Sequence, residues 1–158
     1  MTLKRVSIIF IIFFIIGGVF VYAQNYLFSQ NGVKVVDVPT VLINDASFKV
    51  ELADTPQARV KGLSGRESLP AGTGMLFVFP EKAKHRFWMP DMNFPIDIIW
   101  ITDGQVVGVE HEVSPVFNPD EPVFYLPPVP VEYVLEVNSG VAKEAQIKIG
   151  DKVKFSHI

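Results

Sequence analysis

The chain has 158 residues, a formal net charge of -3 and no cysteine. That length suits one domain of ordinary size. Apolar residues at 49% exclude a disordered chain, and zero Cys excludes a disulfide scaffold, a Cys-ligated metal and a thiol nucleophile. The acidic balance, with a pI near 5.6, argues against nucleic acid as a partner.

Val6 to Ala23 is an uncharged run of 18 residues preceded by Lys4 and Arg5. As a helix it would be about 27 Å long, enough to cross a hydrocarbon core. The basic pair would stay cytoplasmic and the rest of the chain outside. Residues 1–23 are therefore read as a transmembrane anchor, contacting the membrane through residues 6–23. The alternative is a signal peptide cleaved near Ala23, after Val21-Tyr22. Either reading makes the functional part extracytoplasmic: a single-pass cell-membrane protein, or a secreted or periplasmic one. Residues 24–32 read as a polar tether, and residues 33–158 as one mainly-β domain.

In that domain VKVVDV and TVLI, separated by Pro39, are β-branched strand candidates. In SFKVELA (47–53), Phe48, Val50 and Leu52 share one face and Lys49 and Glu51 the other, which predicts a half-buried strand. TPQARVKGL (55–63) predicts a short helix with Thr55 as N-cap, Pro56 at its first position and Gly62 at its exit. GMLFVF (74–79) fits a strand buried on both faces, and HRFWM (85–89) is a further strand candidate. IDIIWIT and QVVGVEHEV flank Asp103-Gly104, a hairpin signal. VEYVLEV (131–137) alternates as a strand, SGVAKEAQI (139–147) can hold a turn or two of helix, and KVKFSH is a last strand. Residues 114–130 hold six of the twelve prolines together with Val116, Phe117, Val123, Phe124, Tyr125 and Leu126. No regular element survives that proline density. Such an apolar loop is either functional or a cover for a sheet edge. The expected fold is mainly β: a small β-sandwich or partly closed β-barrel with one or two short helices, preceded by the N-terminal hydrophobic helix.

Three stretches, GLSGRESLPAGTGMLFVF (62–79), FWMPDMNFPIDIIWITDGQVVGVE (87–110) and VLEVNSGVAKEAQIKIGDKV (134–153), resemble in order and spacing the prokaryotic family called domain of unknown function 192, DUF192. The resemblance runs from about Lys49 to Phe155. It implies a compact mainly-β domain, often behind a signal or membrane segment, and no established chemistry.

Candidate site residues are Arg66, Trp88, Met89, Asn93 and Asp97. Asp97 lies in an apolar strand, so its carboxyl must be paired, hydrogen-bonded or protonated. The structural options are a buried pair with Arg66 or capping of backbone N–H groups; the functional option is a ligand-binding or catalytic acid. Arg66 follows two glycines in Gly62-Leu63-Ser64-Gly65, and its planar fork suits a carboxylate or phosphate. Trp88, Met89 and Asn93 in FWMPDMNFP give the aromatic and amide composition of a small polar-ligand or glycan pocket, or of plain core packing. His85, His111 and His157 share no metal-ligand spacing, and no GxSxG is present. The reading therefore names no catalytic residue, metal or cofactor. It expects a non-enzymatic extracytoplasmic binding domain for a small polar or glycan-like ligand. The alternatives are an envelope protein–protein assembly domain using the proline-rich loop, and a hydrolase using Asp97.

Overall fold

The computed structural model describes residues 37–158. The predicted anchor, the tether and the first residues of VKVVDV lie outside them; among the described residues no helix is long and apolar enough to cross a membrane. The strands are β1 (Thr40–Ile43), β2 (Ala46–Ala53), β3 (Thr73–Ala83), β4 (Ile96–Thr102), β5 (Gln105–Val113), β6 (Val131–Asn138) and β7 (Val153–Ser156), with short helices α1 (Pro56–Lys61) and α2 (Val141–Glu144). They form one seven-stranded sheet in the order β5-β4-β6-β3-β2-β1-β7, antiparallel except where β2 and β3 run parallel. The sheet curls into a half-barrel. Its two edges meet where Gln105 bridges Lys152 and Val106 N donates to Asp151 O at 2.9 Å. One curled sheet, not two packed sheets, replaces the sandwich alternative.

Curling gives the central strands two buried faces. Inside the curl, all seven strands contribute to one core, including Val41, Phe48, Leu76, Ile99, Leu135 and Val153. On the outer face, Met75 and Phe77 of β3, Ile98 and Trp100 of β4 and Val134 of β6 form a second core under loops. Every residue of β4 is buried. The close fit of the outer core needs Gly108, where a Cβ would stand 2.9 Å from the Trp100 ring.

Local chemistry sets the boundaries as expected for α1. Thr55 Oγ1 accepts from Ala58 N at 3.2 Å, Pro56 starts the helix, and Gly62 ends it at φ 46°. HRFWM is not a strand. Only Phe87 pairs, with Tyr125, through N–H···O bonds of 2.9 and 2.8 Å. That pairing pins the proline-rich loop over the outer core.

Asp97 lies on the inner side of β4 and is fully buried. Its Oδ1 accepts from Glu112 N at 2.8 Å and its Oδ2 from Ala142 N at 2.9 Å. The first bond holds a bulge: between the pairs Ile98↔Glu110 and Ile96↔Val113, β5 has one residue more than β4, and Glu112 takes φ 52°. The second fastens α2 across the inner core. Of the two structural options, backbone capping is the one realised.

Arg66 does not reach Asp97. It forms a two-pronged pair with Glu51, Nη1–Oε1 2.6 Å and Nη2–Oε2 2.7 Å, at the surface. The bond from Arg66 holds the Glu51 carboxyl below its usual range. Asp97→Ala orphans two backbone N–H groups, and we expect a loss of about 3 kcal/mol or more in urea titrations. Arg66→Ala, at an exposed pair, is expected to cost less than about 1 kcal/mol. The double variant should be additive; a large coupling energy would show that the two side chains act together.

Candidate functional site

The outer face of β6 carries a second acid in an apolar setting. Glu136 pairs in register with Met75 of β3 and Ile98 of β4 and is 6% exposed. Its carboxyl forms no hydrogen bond or ion pair among the described residues. Burial alone pushes its pKa up to about 8, so the group is protonated and uncharged at neutral pH. Strand contact is tight here: a Cβ on Gly74 would stand 2.8 Å from Glu136 O.

Glu136 lines a cavity of about 450 Å³ whose walls come from α1, the turn after it, β3 and the 85–92 loop. Phe77, Phe87, Trp88 and Met89 supply apolar wall, and Arg59, Lys61 and Arg86 bring cationic side chains. Packing organises these walls. Phe87 meets Phe77 and Trp100 edge-on at 4.9 and 5.3 Å. His85 stacks on Phe79 at 3.5 Å, and Arg59 lies 5.4 Å over the same ring while donating to Asp54 O and Val78 O at 2.7 and 2.8 Å. Arg86 lies 4.8 Å over Phe124. The turn after α1 is stitched to the 90–93 segment by Ser64 Oγ donating to Pro90 O (2.9 Å), Gly65 N to Asp91 O (2.8 Å) and Asn93 Nδ2 to Arg66 O (2.8 Å).

The sequence-derived candidates therefore separate. Trp88 and Met89 line the cavity. Asn93 and Arg66 hold the neighbouring loop, and Asp97 faces the inner core on the other side of the sheet. Among the described residues no carboxyl or imidazole bonds to Asp97; its partners are the backbone N–H groups of Glu112 and Ala142. Among the described residues no cluster of three His, Asp or Glu could hold a metal ion. Glu136 is the residue that sequence reasoning passed over: it shares a face with Glu132 on an alternating strand and so reads as solvent-facing.

With the geometry in place, comparison with known proteins gives the family. The model of DUF192, described as "Uncharacterized ACR", matches residues 40–155, and the chain belongs to that family. A protein of unknown function from Novosphingobium aromaticivorans DSM 12444 has a similar crystal structure, with 29% identity and a TM-score of 0.69 over 78% of this chain and 89% of that one. Another similar crystal structure, from Sinorhizobium meliloti 1021, is of a protein described as a "putative transcription regulator", with 28% identity and a TM-score of 0.67 over 75% of this chain and 92% of that one. No curated protein matches the chain.

The raised pKa of Glu136 has a stability consequence. The unfolded group ionises near 4.5 and the folded one near 8, so between these values only the folded state keeps the proton. Stability is then full below pH 4.5 and falls with rising pH by about 1.4 kcal/mol per unit up to pH 8. Urea titrations at pH 5 and 8 should show a loss on the order of 4 kcal/mol in the native chain that Glu136→Gln abolishes. Equal slopes for both proteins would mean that Glu136 is ionised in the fold.

Proposed function

We propose that this domain is a non-enzymatic binding domain that takes a small ligand into the cavity beside Glu136. One observation carries the reading: Glu136, an acid 6% exposed in an apolar setting and bonded to no other described residue, lines a cavity with aromatic and methionine walls. A ligand able to hydrogen-bond this carboxyl inside the apolar walls would gain from doing so. The walls favour a ligand with an apolar body and few polar groups. Support for a glycan is weaker, because Trp88 stacks on Phe124 at 6.0 Å and meets Phe117 edge-on at 5.5 Å. No catalytic group is assigned.

A second reading, docking of an envelope protein, draws on the exposure of Val116 (85%) and Val123 (62%) in the proline-rich loop. The extracytoplasmic location remains part of the proposal and rests on Lys4, Arg5 and the uncharged run after them. Since the chain has no native cysteine, Ser156→Cys should react with an impermeant thiol reagent on intact cells; reaction only after lysis would contradict that location.

The chain has four methionines, and Met89 and Met92 line the cavity. In methyl-labelled full-length protein, a library of small aromatic and aliphatic fragments should move the Met89 and Met92 signals and leave Met1 in place. A library that never moves them would overturn the binding reading.

A further inference from the structure

The charges around the cavity narrow the ligand. Arg59 and Lys61 come from α1, and Arg86 and the titratable His85 from the segment after β3. None of the three cations forms an ion pair among the described residues: Arg59 Nη1 donates to two carbonyl oxygens, and Arg86 lies over a ring. The strands on either side of Glu136 present Met75 and Ile98 and bring no titratable group. Asp91 lies in an adjoining, shallower depression. The lining therefore brings three cationic side chains, with Lys61 and Arg86 exposed at its rim, and a single acid, Glu136, which bonds to no other described residue.

We propose that the cavity takes a small carboxylic acid with an apolar body, bound as the anion, with the Glu136 carboxyl hydrogen-bonded to it and the cations of the lining balancing its charge. The proposal rests on the binding reading above and adds the ligand's charge. A neutral carboxyl is both donor and acceptor, whereas an ionised one only accepts. An anionic ligand therefore needs Glu136 to keep its proton. A cationic ligand would need that proton lost, and would also face Arg59, Lys61 and Arg86. Binding of an anion and retention of the Glu136 proton are thus linked, and each must strengthen the other.

The sign of the pH dependence tests this. Benzoate, benzamide and benzylamine share a ring and differ in charge, and each is titrated into the full-length chain in detergent between pH 6 and 9.5, with Met89 methyl shifts as readout. Benzoate should bind most tightly, with affinity level at low pH and falling toward tenfold per unit once Glu136 ionises. Glu136→Gln, whose amide still donates, should keep benzoate binding and lose this pH dependence. Benzylamine binding that strengthens with pH below about 8.5, where the amine is still protonated, would overturn the inference, as would benzamide binding equal to benzoate. Both of those outcomes leave the binding reading intact. Failure of all three probes, with fragments of other shapes still moving Met89, would also reject the carboxylic acid and keep the cavity as a binding site. Silence from every fragment is the result that removes both.

Discussion

Full burial of the central strands is the constraint on which the rest of the molecule depends. Because the sheet curls, β4 and β6 have the inner core on one side and loop-covered apolar residues on the other. A polar side chain at the buried positions of these strands has little access to water. It must find a partner inside or pay for lacking one. Asp97 and Glu136 meet this constraint in opposite ways. Asp97 ties a bulge of β5 and the start of α2 to β4, so its carboxyl joins three elements. Glu136, on the neighbouring strand and the other face, ties nothing.

The contrast separates acids that the fold uses from one that it does not. An acid kept for the fold has its oxygens occupied by groups the fold itself must satisfy, as the Glu112 and Ala142 N–H groups do for Asp97. Glu132, four residues before Glu136 on β6, is also occupied: Thr102 Oγ1 donates to it at 2.5 Å and Asp103 N at 2.9 Å. Glu136 has no such occupation, yet it sits at the wall of a cavity whose remaining charges are positive. That acid, beside space that a ligand can fill, is the observation on which the proposed binding function rests.

Much of the strand order in sequence was legible. Alternation in 47–53, the Asp103-Gly104 turn and the Thr55-Pro56 helix start are local signals, and each appears where local chemistry predicts it. HRFWM misled because its aromatics serve the outer core and a single bridge to Tyr125, an arrangement that depends on the distant proline-rich loop. Arg66 and Asp97 looked like partners because each needed one, but pairing is decided by the side of the sheet, and Glu51 lay nearer in space to Arg66. Glu136 was hidden by its own alternation. Glu132, Val134 and Glu136 share a face that reads as half-solvated, and only the loops folding over that face bury its far end.

The central claim is that Glu136 is held uncharged in the folded protein beside a cavity open to a ligand. The carboxyl-carbon NMR signal of Glu136, assigned by its loss in Glu136→Gln and followed against pH, measures this directly. The account predicts a midpoint near 8. A midpoint near the ordinary value of about 4.5 would show an ionised, solvated carboxylate and would contradict it.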